Sequence, residues 1–167
     1  MRVSISFFLH LMGFGLMVTT LVAGLVLERK FRAEQELNLK LYVAGLARTM
    51  GLLSPFAVLL LLITGIGNIF NRSAGTSVSW YQEGWLVAKI MFFVILLLNG
   101  MFYGPRISRS RTKVIRSLQE DTPQAEAVKT LASLNRQMTL FYLVQTLLLL
   151  IIVYLSLLGT GKHPGAF

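Results

Sequence analysis

The chain contains no cysteine. That excludes disulfides, thiolate metal centres, iron–sulfur clusters and a cysteine nucleophile, whichever compartment its loops face. Charge is scarce as well: 14% of the 167 residues are charged and 54% are hydrophobic, against about 25% and about 45–50% in soluble domains. Acidic residues are the rarer sign. There are seven, Glu28, Glu34, Glu36, Glu83, Glu120, Asp121 and Glu126, all assigned to loops rather than apolar runs. Without an intramembrane carboxylate, a conventional proton-coupled pump is disfavoured. No nucleophile–base pair, carboxylate dyad, phosphate loop or metal-spaced cluster can be assembled from the sequence. There is no internal repeat, low-complexity tract or long linker, so residues 1–167 read as a single membrane domain.

What the sequence does have is four apolar runs, at about residues 3–27, 50–70, 85–103 and 138–158. Each approaches or exceeds the length of about 20 residues that a helix needs to cross about 30 Å of hydrocarbon. The expected fold class is therefore all-α integral membrane, a four-transmembrane-helix bundle. The first run follows Arg2 and has small residues at Ala23 and Gly24, but it is too long for a signal peptide. Lysine and arginine set the orientation, because positive loops stay cytoplasmic. Residues 28–49 carry Arg29, Lys30, Arg32, Lys40 and Arg48; residues 104–137 carry Arg106, Arg109, Arg111, Lys113, Arg116, Lys129 and Arg136. The other three segments hold only Arg2, Arg72 and Lys162. This alternation puts both termini and the 71–84 loop outside and makes 28–49 and 104–137 cytoplasmic loops. A bacterial inner (plasma) membrane is the expected location.

The formal net charge of +9 would suggest nucleic acid in a soluble protein. Here the basic residues flank apolar runs, so anionic lipid headgroups at the cytoplasmic face are the expected counter-charge, and no nucleic acid is expected. Trp80, Tyr81 and Trp85 suit the outer headgroup zone. Gly104-Pro105 reads as a helix stop after the third run. Thr122-Pro123 reads as an N-cap and first helical residue, opening an amphipathic helix with Val128, Leu131 and Leu134 that lies along the inner surface and leads into the fourth run. Gly15, Thr19 and Ala23, and likewise Gly100 and Gly104, recur at four-residue spacing and allow close helix approach. Pro55 is expected to kink the second run beside Ser54.

Polar residues inside hydrocarbon are costly, and each is a functional candidate. His10 stands about seven residues in from the outer end of the first run and Lys89 about four in from that of the third, at similar depth on about 1.5 Å of rise per residue. A neutral imidazole at that depth ligates haem iron or another metal, relays a proton, or bonds a neighbouring helix. Lys89 either snorkels to the interface or serves as the cationic partner of an anion such as a propionate beside His10. A deeper layer, Thr19, Thr20, Ser54, Asn99 and Gln145, is of the kind that joins helices. The methionines at 12, 17, 50, 91, 101 and 138 are scattered as core fillers are, and make a weak copper ladder.

Several short motifs occur together. The first run reads Phe8-Leu9-His10-Leu11-Met12-Gly13, then Gly24 and the exit Glu28-Arg29-Lys30-Phe31. The second closes Leu62-Ile63-Thr64-Gly65, the third opens Gly84-Trp85-Leu86-Val87-Ala88-Lys89, and Leu134-Asn135 precedes the fourth. In these the chain resembles the small four-helix membrane proteins grouped around HemJ-type protoporphyrinogen oxidase and the copper-resistance CopD domain. The resemblance implies haem b or porphyrin binding through His10 and Lys89 in a redox role. The chain departs from that pattern where a second histidine late in the third span is replaced by Asn99, which leaves haem bound five-coordinate, between two copies or with a ligand from a partner subunit, or a bundle that has lost the site. The other expectations are a non-catalytic accessory or assembly subunit of a larger membrane complex and, third, copper or small-solute transport. A homo-oligomer or membrane partner subunits are the expected assembly.

Overall fold

The computed structural model describes residues 5–75, 80–119 and 124–162. Six α-helices make up nearly all of it: α1 (Ile5–Ala33), α2 (Leu37–Gly51), α3 (Leu53–Gly75), α4 (Gly84–Leu98), α5 (Gly104–Gln119) and α6 (Gln124–Lys162). Trp80–Gln82 is a 3-10 turn and Asn99–Tyr103 a π-turn, and no strand occurs among the described residues. α2 runs into α3, and α4 into α5, with so little interruption that four helices long and apolar enough to cross a membrane result: Ile5–Ala33, Leu37–Phe70, Gly84–Gln119 and Ala125–Gly159. Phe56, Ile63, Met91, Leu143 and Leu150 are all at least 60% exposed. A helix apolar on every side requires lipid or protein around it, and a surface of this kind belongs in a bilayer.

α1 packs along α3 and α4 along α6, and the two pairs share one core of Met17, Ala57, Leu61, Leu96, Leu148, Leu149 and Ile152. The helices outrun the bilayer. α6 alone has 39 residues, about 58 Å at 1.5 Å per residue, against about 30 Å of hydrocarbon. The excess lies at the end carrying the two basic segments, where the end of α1, α2, α5 and the start of α6 close around a second core of Phe31, Val43 and Ile115, flanked by Leu27, Leu37, Leu41, Ala44 and Leu131.

This second core changes several expectations. Residues 28–49 and 104–137 are mostly helix rather than loop, because apolar residues at helical spacing, such as Ile107 and Ile115, have a surface to bury against. Gly104-Pro105 does not stop the helix. The Gly104 N–H donates to the Asn99 carbonyl in the wider π pairing, and Pro105 follows in the first turn of α5, where a missing N–H is tolerated. Pro55 sits in the first turn of α3, and the interruption between α2 and α3 falls at Leu52, in the turn that precedes the proline, where its missing N–H breaks the helical pairing. The amphipathic segment before the fourth span and that span are one uninterrupted helix, α6. The Thr122-Pro123 cap lies outside the described residues.

The small-residue stripes divide. Gly15 and Thr19 are exposed on α1 and Ala23 is half-buried, and a Cβ at Gly15 would meet nothing within 4 Å. Gly13, Met17 and Gly24 are the buried positions instead. Gly100 and Gly104 do lie against α6, where added Cβ atoms would come within 2.9 Å of Gln145 Nε2 and 2.7 Å of Phe141 Cζ.

Candidate functional site

Polar side chains gather at three levels. At the end where α1 begins and α6 finishes, α1 presents Ser6 and His10 one turn apart, and α3 presents Thr64 and Asn68 with the same spacing. Ser6 Oγ donates to Asn68 Oδ1 at 2.8 Å, and His10 Nδ1 lies 2.8 Å from Thr64 Oγ1. Thr64 is buried, and its hydroxyl donates to the Leu60 carbonyl at 2.6 Å. A hydroxyl has one proton to give, so Thr64 accepts from His10, and the imidazole carries its proton on Nδ1. That leaves Nε2 with the lone pair. The Cε1 edge of the ring faces Gly65, whose missing side chain makes the room. Lys89, at similar depth on α4, is half-buried. Trp85 lays its ring on Gly159 near the end of α6, while Tyr81 is exposed.

At mid-bundle, Asn99 opens the π-turn and Gln145 on α6 lies against Gly100. Asn99 Nδ2 and Gln145 Oε1 are both buried without a hydrogen-bond partner. The rest of the expected polar layer does not join them. Thr19 and Thr20 return their hydroxyls to carbonyls of their own helix, Gly15 and Met17. Ser54 lies in the first turn of α3.

The third level, at the basic end, was not anticipated as a site. Glu28 is within α1 rather than in a loop, and its carboxylate receives both Nη atoms of Arg111, at 2.6 and 3.2 Å, and Arg32 Nε at 2.9 Å. Arg111 is only 4% exposed. Its guanidinium stacks on Phe31, 3.8 Å from the ring centre, and its Nε is unpaired beside a cavity of about 30 Å³ bordered by Ser108, Met138 and Tyr142. Arg32 also donates to the Asn135 carbonyl and to Thr139 Oγ1, tying α1 to α6. In the adjoining turn, Glu34 Oε1 accepts from the N–H groups of Gln35 and Glu36, which holds its carboxyl below the usual range. The sequence does carry a signal for Arg111: it occupies the middle of the apolar series Ile107, Arg111, Ile115 at four-residue spacing.

No grouping of three or more metal-ligating side chains occurs among the described residues. No family model, no curated protein and no solved structure matches the chain. The resemblance to HemJ-type and CopD-domain proteins therefore rests on the short motifs alone.

Proposed function

We propose that the protein is an accessory subunit of a larger membrane complex, anchored in a bacterial plasma membrane by four spans, with its basic end in the cytoplasm. The observation that carries this reading is the packed extension beyond bilayer length, with its own core and the Glu28–Arg111 pair inside it. On its outside, α5 exposes Arg106, Arg109, Lys113 and Arg116, within about 80° of arc at 100° per residue, and has no acidic residue. A rigid helix with a one-signed face suits an acidic surface on a neighbouring subunit. On native gels of mildly solubilised membranes, the protein is expected to migrate in an assembly larger than its own oligomer. Changing Arg106, Arg109, Lys113 and Arg116 together to Glu is expected to release it without loss of the helical circular dichroism signal. Migration at the size of the isolated protein before and after the change would reject the role.

A second reading is a haem b or porphyrin site at His10, with Lys89 as the partner of a propionate. The Thr64 network favours it, since a histidine anchored through Nδ1 is oriented to ligate through Nε2. Neither of the two cavities described touches His10, so a macrocycle would be seated against a second copy or a partner, or bound five-coordinate on His10 alone. Bound iron would supply one-electron chemistry; His10 would hold it and Lys89 would neutralise a propionate. The test is an optical spectrum of the purified protein before and after dithionite. A Soret band lost in His10→Ala supports haem, and a featureless spectrum after expression with ample haem rejects it.

A further inference from the structure

The larger cavity is a groove of about 530 Å³ between the basic end of α1 and the middle of α6. One wall is Leu25, Glu28, Arg29 and Arg32; the other is Thr139, Tyr142, Leu143, Thr146, Leu147 and Leu150. α1 and α6 run antiparallel, and the groove is ordered along them. Arg29, Arg32 and Thr139 stand at its polar end, and Leu25, Leu147 and Leu150 at its apolar end. From Thr139 to Leu150 the helix rises about 16 Å, the depth of one leaflet of a hydrocarbon layer about 30 Å thick. Leu143, Leu147 and Leu150 are each more than half exposed, so the apolar end is open sideways to lipid.

The charge at the polar end is not balanced within the protein. Glu28 is fully engaged by Arg111 and Arg32, which leaves three guanidiniums to one carboxylate. Arg32 is held in place by the Asn135 carbonyl and Thr139, and its side chain is still 40% exposed. Arg29 lines the groove, is exposed, and has no ion-pair partner among the described residues. A fixed arginine beside an adaptable one, above an apolar trough one leaflet deep, matches an anionic headgroup on an acyl chain.

We infer that the α1–α6 groove binds one anionic glycerophospholipid from the leaflet at the basic end, its phosphate between Arg29 and Arg32 and one acyl chain along Leu143, Leu147 and Leu150. The inference needs the helices to span a bilayer but not the docking role proposed above. Spanning is checked separately by retention in membranes through an alkaline carbonate wash.

The experiment is native mass spectrometry of the full chain in detergent, titrated with phosphatidylglycerol or with phosphatidylcholine of the same acyl chains. Expected are a single saturable phosphatidylglycerol adduct and preference over phosphatidylcholine of about tenfold or more. Arg29→Gln should weaken the adduct about fivefold, on the order of one arginine's contribution at an anionic surface. Leu147→Trp, which fills the trough, should weaken both lipids alike. Arg48→Gln, an exposed arginine of α2 outside the groove, should change nothing. Equal affinity for the two lipids would overturn the inference. So would an Arg48→Gln effect as large as that of Arg29→Gln, since binding would then follow diffuse charge, or full competition by glycerol phosphate, since the trough would then be idle.

Discussion

Glu28 and Arg111 illustrate how burial changes the worth of a charge. Exposed ion pairs contribute little, but a buried pair that loses one member leaves the other stranded, at a cost of about 3–5 kcal/mol. Arg111 lies at 4% exposure with both Nη atoms on Glu28. Glu28→Gln is therefore expected to destabilise the detergent-solubilised protein by about 3 kcal/mol in chemical unfolding, whereas the double change of Glu28 and Arg111 to Met should recover most of the loss. Arg111→Lys should fare badly too, because an ammonium can neither fork onto the carboxylate nor stack flat on Phe31. Glu34 supplies a pH test. Its carboxyl titrates below the ordinary 4.5 because the ionised form accepts two backbone N–H groups. The turn between α1 and α2 keeps that support above the ordinary value and loses it as pH falls through the lowered folded value. Hydrogen-exchange protection at Gln35 and Glu36 should fall in that window, and should not do so in Glu34→Gln.

At the scale of elements, α6 is closely approached by α1 at Gly24 and by α4 and α5 at Trp85 and Gly104. A Cβ on Gly104 would stand 2.7 Å from Phe141 Cζ, and that ring is hemmed in by Tyr103 and Tyr142, with centroids 6.5 and 5.1 Å away. Gly104→Val should cost about 1–3 kcal/mol as an overpacked contact, seen as a lower melting temperature and partly restored by Phe141→Leu. The elements also show how far the residues could be read. Four spans follow from run length alone. The helices in 28–49 and 104–137 were obscured because their apolar positions are sparse and meet only across the bundle: Phe31 on α1, Val43 on α2 and Ile115 on α5 are far apart in sequence. Gly104-Pro105 misled because its local signal is a stop, and only the π pairing from Asn99 to Gly104 carries the helix past it. The stripe Gly15, Thr19, Ala23 misled because spacing gives a helix face without saying what it faces. Thr64, which sets the tautomer of His10, carried no sequence signal beyond its place before Gly65.

For the whole molecule, the cysteine-free sequence makes topology directly measurable. Single cysteines at positions 109 and 136, on exposed basic-end surfaces, are expected to react with a membrane-impermeant maleimide only after cells are opened, and one at position 81 in intact cells. Reaction of 109 from outside would invert the assigned orientation.

The spans reach the packed basic end with no flexible joint longer than the single turn at Leu52. Each is a strut rather than a tether. Bilayers of different thickness are met by changing helix tilt, and a strut that tilts in the membrane swings its far end sideways. Bilayer thickness would thus be translated into displacement of the tip of α5.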